Sequence, residues 1–130
     1  MSKTYFITTY GCQLNVHESE KLAGVLKQRG FLPATKLEDA DVIVFNTCAI
    51  REGAEDRVFG NVGALKKLKR AHKEKIIAVC GCMTHQKAKA EKLYEMFPFI
   101  DIIFGTSNLY KFEEFLDKRH KRLLAYDEDF

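Results

Sequence analysis

Three short apolar runs, each followed by a cysteine, constrain the fold of this chain most strongly. The runs TYFITTYGC, DVIVFNTC and KIIAVCGC end at Cys12, Cys48 and Cys82. Nearly continuous apolar runs of this length are typical of strands that are covered on both faces of a sheet. Stretches with helical periodicity separate these runs. Such alternation predicts a parallel sheet with right-handed crossovers.

The sequence predicts five strands and four helices. We expect strands at 5–9, 41–46, 75–80, 100–104 and 122–126, and helices at 16–28, 52–70, 87–97 and 109–116. Gly30 is expected to end the first helix. The second helix should bury the residues that recur on one face, Ala54, Val58, Val62 and Leu65. We predict a flavodoxin-like, doubly wound α/β fold with a parallel sheet of four to five strands in the order 2-1-3-4-5 and helices on both faces, because this order makes the first three strand ends neighbours.

Composition limits the class of protein. The 130 residues, of which 46% are hydrophobic, suffice for a single domain with one core. The net charge of +3 is too small to indicate a nucleic-acid binder by itself. The start, MSKTYFITTYG, lacks the apolar run of an export signal, and no run approaches membrane-spanning length. We therefore expect a cytoplasmic protein, in which clustered thiols bind metal or do chemistry more often than they form disulfides.

Thiols at three strand ends predict a shared metal or cluster site. Ligands of open α/β sheets bind outside the carboxyl ends of the strands, where helix N-termini favour thiolates. Gly11 and Gly81 precede two of the cysteines and would allow the backbone to approach a bulky group. Three protein ligands leave one coordination position open, which favours a catalytic role. Cys80 lies inside an apolar run, and we interpret it as an inert core thiol.

The motifs around these cysteines are specific. The runs TYGCQLNVHESEKLAG, NTCAIREGAEDRVFGNVGALKKLK and VCGCMTHQ closely resemble the N-terminal domain of radical-SAM methylthiotransferases. The resemblance extends through FGTSNLYKF and covers nearly the whole chain. Its form is similar to the MiaB-type tRNA enzymes. The LGCPKN-like motif of relatives that modify a ribosomal protein and the LGCKVN-like motif of relatives that modify threonylcarbamoyl-adenosine do not occur.

The resemblance implies an enzyme that introduces a methylthio group at carbon 2 of N6-isopentenyladenosine, next to the tRNA anticodon. Such enzymes use two 4Fe-4S clusters and S-adenosylmethionine. The resemblance also implies that Cys12, Cys48 and Cys82 ligate the auxiliary cluster, whose open iron takes sulfur from a donor. The radical-SAM motif C-x-x-x-C-x-x-C is absent, as is any segment like the RNA-binding domain. We therefore expect residues 1–130 to be the first domain of a longer enzyme and to be inactive alone.

Polar residues that flank the cysteines are candidates for a supporting role, while no catalytic residue is assigned. Asn15, Asn46, Thr47 and Arg51 are placed to donate hydrogen bonds to cluster sulfides or to a bound substrate. Asn15 and Thr47 are equally compatible with ordinary turn or helix-cap positions.

Several charged residues have two interpretations. The basic stretches KKLKRAHKEK (66–75) and KRHKR (118–122) fit contact with tRNA phosphates, and they fit solvated helix ends equally well. His17 and Glu18 are expected on a solvated first helical turn. His85 becomes a metal ligand only if the family mapping fails.

Three alternatives stay open at this point. The chain is compatible with a methylthiotransferase for another substrate, namely threonylcarbamoyl-adenosine in tRNA or a ribosomal protein. A flavodoxin-like module would hold FMN or another phosphate ligand in the same crevice, although YGCQLN has a single glycine and no run of hydroxyl residues. A zinc-binding interaction domain would use His85 as its fourth ligand.

Overall fold

Strands and helices alternate along the chain and build one parallel sheet. The computed structural model describes residues 3–10, 13–47, 54–81, 87–105, 111–117 and 123–125. The strands are β1 (Thr4–Thr9), β2 (Leu32–Pro33), β3 (Val42–Thr47), β4 (Ile76–Gly81), β5 (Ile102–Phe104) and β6 (Leu123–Ala125). The helices are α1 (Gln13–Gln28), α2 (Ala54–Gly63), α3 (Lys66–Ala71), α4 (Lys87–Met96) and α5 (Phe112–Asp117), and a 3-10 turn covers Leu37–Asp39.

The six described strands lie in the order β2-β1-β3-β4-β5-β6, and every neighbouring pair is parallel. The predicted flavodoxin-like α/β fold with its order 2-1-3-4-5 is confirmed. The strand numbered 2 in that order is Leu32–Pro33, at the edge of the sheet, which sequence patterns do not identify because two residues show no periodicity. The strands predicted at 41–46 and 75–80 are therefore β3 and β4, and β1, β3 and β4 are neighbours as expected.

Side chains of the central strands alternate between two cores, one on each face of the sheet. The first core joins β3 and β4 to α1 and α5, and its members include Leu22, Leu26, Val44, Ala78, Cys80 and Phe112. The second core joins the same strands to α2 and α4, and its members include Phe45, Val58, Val62, Val79 and Leu93. Burial on both faces explains why these strands read as continuous apolar runs. It also confirms the prediction of helices on both faces.

The predicted second helix is divided in two. The described residues of the helix expected at 52–70 form α2 and α3, which a turn at Ala64 and Leu65 separates, while residues 52 and 53 lie outside the described residues. The turn follows Gly63, a residue type of low helix propensity, and the Leu65 N–H donates to the carbonyl of Val62 at 3.0 Å. The prediction of a buried face holds at Val58, Val62 and Leu65. The side chain of Ala54 lies outside the described residues.

The first helix ends where the sequence predicts. Gly30 follows α1 with a φ of +90°, a left-handed conformation that glycine adopts without the strain of a Cβ. Among the described helices, none is long and apolar enough to span a membrane.

Candidate functional site at the carboxyl edge of the sheet

The carboxyl ends of three neighbouring strands meet at one edge of the sheet. Thr9 is the register partner of Asn46, and Thr47 is the register partner of Gly81. In the sequence Cys48 directly follows Thr47, Cys82 directly follows Gly81, and Cys12 comes three residues after Thr9. The structure thus brings together the residues that lead into the three cysteine-bearing segments.

The cysteines themselves lie outside the described residues. This applies to Cys12, Cys48 and Cys82, and also to Arg51. Their assignment to a cluster site therefore stays a prediction. In the part of the chain that the structure describes, no three His, Cys, Asp or Glu side chains are grouped so that they would hold a metal.

Two buried asparagine side chains form hydrogen bonds next to this edge of the sheet. Asn15 on α1 and Asn46 on β3 are both fully buried. Nδ2 of Asn15 donates to Oδ1 of Asn46 at 3.3 Å, and Nδ2 of Asn46 donates to the backbone carbonyl of Asn15 at 2.7 Å. Buried amide groups need such partners because an unpaired one loses its hydrogen bonds to water. The pair therefore fixes the start of α1 against the end of β3.

Thr47 joins this amide pair to the next strand. Its carbonyl accepts a hydrogen bond from Nδ2 of Asn15 at 3.0 Å, and its hydroxyl donates to the carbonyl of Cys80 at 2.6 Å. Thr47 and Asn15 are thus buried cross-links between elements. The described contacts of Asn15, Asn46 and Thr47 run to the protein itself and hold the strand ends in place.

Ser19 extends the network to β1. Its hydroxyl accepts a hydrogen bond from Nδ2 of Asn46 at 3.0 Å and lies 2.6 Å from the hydroxyl of Thr9. The N–H of Tyr10 donates to the carbonyl of Asn46 at 2.9 Å. The motifs around the cysteines do not single out Ser19 for a polar role. The available signal was its position four residues after Asn15, which puts both side chains on one face of α1.

Gly81 is required at the end of β4. Its φ is +102°, and a Cβ at this position would overlap the backbone oxygen of Thr47. The same Cβ would lie 2.6 Å from the nitrogen of Thr47 and 2.7 Å from Oδ1 of Asn46. The missing Cβ at Gly81 thus allows β4 to pack closely against β3. The prediction that Gly11 and Gly81 let the backbone approach a bulky bound group stays a prediction, and Gly11 lies outside the described residues.

Glu18 is buried, contrary to the expectation of a solvated helical turn. Only 5% of its surface is exposed, and within the described residues its Oε1 has no hydrogen-bond partner. Burial raises the pKa of this carboxyl above its usual value of 4.5, and the charge of Lys21 partly offsets the rise. His17 is solvated as expected, with its Nδ1 at 3.8 Å from Oε2 of Glu20.

Cys80 is a core thiol, as the sequence predicts. It is a free cysteine and is fully buried in the first core. Burial raises the pKa of this thiol far above its usual range, and the nearby charge of Glu18 raises it further. The reactive and metal-binding form of cysteine is the thiolate, so Cys80 is unsuited to either role.

Two lysines of the basic stretch 66–75 are part of the fold. Nζ of Lys69 lies 2.8 Å from Oδ2 of Asp101, which also accepts a hydrogen bond from the N–H of Ile77 at 2.9 Å. Lys75 is buried, and its Nζ donates to the carbonyl of Ala40 at 2.6 Å. These contacts lie at the amino ends of the strands, opposite the edge described above.

Other basic residues of the stretch 66–75 lie on the surface. Lys66, Lys67, Arg70 and Lys73 are exposed. The second basic stretch, 118–122, and His85 lie outside the described residues.

One feature of the described chain fits a bound polar group. The buried Oε1 of Glu18, on the face of α1 that also carries Asn15 and Leu22, lacks a hydrogen-bond partner from the described chain. A thiolate ligand set from Cys12, Cys48 and Cys82 would suit a 4Fe-4S cluster in chemical type and in number.

Comparison with known proteins identifies relatives over most of the chain. A model of the family described as "Uncharacterized protein family UPF0004" matches residues 4–105. The chain is 59% identical over 117 residues to a tRNA-2-methylthio-N(6)-dimethylallyladenosine synthase of Caldicellulosiruptor saccharolyticus, with 90% of this chain and 25% of that protein covered. Enzymes of the same name from Clostridium tetani and Clostridium beijerinckii are 54% identical over 115 residues and 50% identical over 116 residues.

For these two relatives too, the alignment covers most of this chain but a small part of the relative. The aligned segments include 88% and 89% of this chain, but only 25% and 26% of the relatives from Clostridium tetani and Clostridium beijerinckii. The chain thus spans about a quarter of the length of the curated relatives that it matches.

Proposed function

Because the chain belongs to the family described as "Uncharacterized protein family UPF0004", we propose that it is the auxiliary-cluster domain of a tRNA methylthiotransferase. The reaction is methylthiolation of carbon 2 of N6-isopentenyladenosine next to the anticodon. The resemblance to the N-terminal domain of such enzymes, inferred from three motifs, is confirmed by the relatives and their names. Those names favour this substrate over threonylcarbamoyl-adenosine or a ribosomal protein.

The observation that carries the proposal is the adjacency of Thr47 and Gly81. They are register partners on neighbouring strands, and the hydrogen bond from Thr47 to the carbonyl of Cys80 fixes their positions. Cys48 and Cys82 follow them directly in the sequence. We propose that these two thiols and Cys12 hold a 4Fe-4S cluster with one iron open to a sulfur donor. When bound, the cluster supplies the sulfur that is methylated and transferred.

The rest of the reaction belongs to other parts of the enzyme. The matched relatives are about four times as long as the aligned segment. We propose that S-adenosylmethionine, the second 4Fe-4S cluster and the RNA-binding domain belong to those additional parts. This chain then supplies one cluster and cannot cleave S-adenosylmethionine alone. A cytoplasmic location follows from the tRNA substrate.

The exposed basic residues of the stretch 66–75 would contact a part of the tRNA that is distant from the modified base. Lys66, Lys67 and Arg70 lie near the amino end of β4, whereas the proposed cluster site lies at its carboxyl end. Six strand residues separate these ends by about 20 Å. Charge reversal at these residues should weaken tRNA binding by the full enzyme and reduce its salt dependence, with little effect on the chemical step.

Anaerobic reconstitution with iron and sulfide tests the cluster directly. We expect absorption and Mössbauer spectra of a 4Fe-4S cluster in the chain. Alanine at Cys12, Cys48 or Cys82 should abolish the stable cluster, while the matched control Cys80→Ala should retain it. A metal content of one zinc that depends on His85 would instead support the zinc-binding alternative, and tight FMN binding would support the flavodoxin-like module.

A second experiment separates the two chemistries in a full-length enzyme that carries this chain as its first domain. Cys48→Ala should still form 5'-deoxyadenosine from S-adenosylmethionine but should make no methylthiolated tRNA, because the two steps use different clusters. Cys80→Ala should do both. Normal tRNA methylthiolation by the Cys48→Ala enzyme would defeat the proposed role.

A further inference from the structure

We propose that the carboxyl of Glu18 donates a hydrogen bond to a sulfide of the group held at the carboxyl edge of the sheet. The inference rests on the proposed function, since it takes this group to be the 4Fe-4S cluster. It assigns a role to a side chain that is neither a cysteine ligand nor part of the amide network.

The burial of Glu18 has no explanation in the fold alone. Its side chain continues the stripe of Leu22 and Leu26 along α1, and both of these leucines belong to the first core. An apolar residue at position 18 would pack there without losing hydrogen bonds to water. Instead the position holds a carboxyl with 5% exposure, whose Oε1 lacks a partner in the described residues. An unpaired buried oxygen indicates a partner that the described chain does not supply.

The location of Glu18 points to that partner. Asn15 and Ser19, on the same side of α1, belong to the network that ties the ends of β1 and β3 together. Cys80 of β4 belongs to the same buried core as Leu22 and Leu26, the leucines that continue the face of α1 carrying Glu18. Cys80 is separated from Cys82 by Gly81 alone. Glu18 is therefore buried on the part of α1 whose neighbouring side chains contact strand ends that lead into the cysteine-bearing segments.

Burial also favours the protonated form of the Glu18 carboxyl, which is the form that can donate a hydrogen bond. A protonated carboxyl has an O–H donor, whereas a carboxylate only accepts. Desolvation raises the pKa of Glu18, and Lys21 on the same helix acts in the opposite direction. On β4 the titratable residue is Cys80, and the charge of Glu18 raises the pKa of its thiol. β3 has no titratable residue, and β1 has none at its carboxyl end. On α5, Glu113 forms an ion pair with Arg29, which follows the carboxyl end of α1.

A hydrogen bond to a cluster sulfide has a measurable signature. Reduction makes the cluster more negative, so a donor stabilises the reduced state more than the oxidised state. Loss of the donor should lower the midpoint potential of the cluster. A residue that serves only the packing of α1 would change stability and leave this potential unaltered.

The test is a mediated redox titration of the reconstituted chain, with dithionite as reductant, at several pH values. The chain covers both faces of its sheet with its own helices, so it is used as it stands. The variants are Glu18→Gln, which keeps a donor that does not titrate, and Glu18→Leu, which removes the donor. The matched control is Glu20→Gln, because Glu20 is an exposed carboxyl on the same helix.

In the wild-type chain, the potential should fall as rising pH ionises Glu18. The potential of Glu18→Gln should lose this pH response, and Glu20→Gln should keep it. The potential of Glu18→Leu should be lower than that of the wild type at acid pH by a tenfold change in the redox equilibrium, about 59 mV for a one-electron couple. All variants should take up the cluster.

Two results would overturn the inference while leaving the proposed function intact. One is the same pH response in the wild type and Glu18→Gln, and the other is an unaltered potential in Glu18→Leu. If circular dichroism shows that Glu18→Leu does not fold, the comparison of wild type with Glu18→Gln decides. Failure of the wild-type chain to bind any cluster would instead defeat the proposed function and the inference with it.

Discussion

Asn15 and Asn46 form two reciprocal hydrogen bonds, in which each residue donates one bond and accepts the other. The side chain of Asn15 donates to the side chain of Asn46, and the side chain of Asn46 donates to the backbone of Asn15. Thirty-one sequence positions separate these residues. The contact therefore converts two distant segments, each adjacent to a cysteine, into one rigid frame.

Asn46→Ala should destabilise the chain by about 2–4 kcal/mol. The change removes donors to the carbonyl of Asn15 and to Ser19, and it leaves buried polar groups unpaired. Urea unfolding would measure the loss. The control is Asn61→Ala, which removes one exposed hydrogen bond of 2.6 Å to the hydroxyl of Tyr10 and should cost at most about 1 kcal/mol. Equal losses for both variants would contradict the importance of the buried pair.

Gly81→Ala should be far more damaging than Gly30→Ala. Both glycines have positive φ, so each substitution adds left-handed strain of about 1–2 kcal/mol. At Gly30 a Cβ meets nothing within 4 Å, whereas at Gly81 it overlaps the backbone of Thr47. We expect a total loss of about 3–5 kcal/mol at Gly81. The difference in urea midpoint between the two variants isolates the steric contact, and a difference near zero would refute it.

Glu18→Gln should change how stability depends on pH. The pKa of Glu18 is higher in the folded chain than its usual value of 4.5, so the folded state binds this proton more tightly than the unfolded state does. The free energy of unfolding contributed by this group is therefore present below pH 4.5 and lost as pH rises through the folded pKa.

Urea unfolding at several pH values would measure this effect as the stability difference between variant and wild type. Glu18→Gln should become more stable relative to the wild type as pH rises. Glu20→Gln, at an exposed position, serves as control and should follow the wild type. A difference for Glu18→Gln that stays constant with pH would show that the carboxyl is not perturbed by burial.

Lys75→Met should destabilise the chain by about 1–3 kcal/mol, because it leaves the carbonyl of Ala40 without its donor. Thermal unfolding would detect this change. Lys73→Met alters an exposed lysine in the same stretch and should change stability by at most about 0.5 kcal/mol. If Lys75→Met weakened tRNA binding more than it lowered stability, the structural role assigned to Lys75 would be wrong.

Sequence patterns predict the sheet better than they predict the site. β3 and β4 are recognisable because burial on both faces gives them apolar runs, and the polar residues of β3, Asn46 and Thr47, stand only at its end. The break between α2 and α3 is missed, since Val58, Val62 and Leu65 keep their apolar spacing across it. Glu18 is missed because a glutamate on a first helical turn is normally solvated.

A signal for Glu18 was nevertheless present. The residue lies four positions before Leu22 and eight before Leu26, and both of these leucines are buried. Helical spacing thus predicts that the Glu18 side chain lies on the buried face of α1. It does not predict whether the carboxyl has a hydrogen-bond partner there. The same limit applies to Asn15 and Asn46, whose mutual bonds depend on the crossover geometry and not on any local pattern.

The alternation of side chains along β4 has a consequence for how the chain melts. Ala78 and Cys80 belong to one core and Ile77 and Val79 to the other, so each core uses every second residue of the same strand. Displacement of β4 from the sheet would therefore remove packing from both cores at once. The two faces should therefore unfold as a single cooperative unit, and the frame beneath the cysteines should persist until the whole sheet is lost.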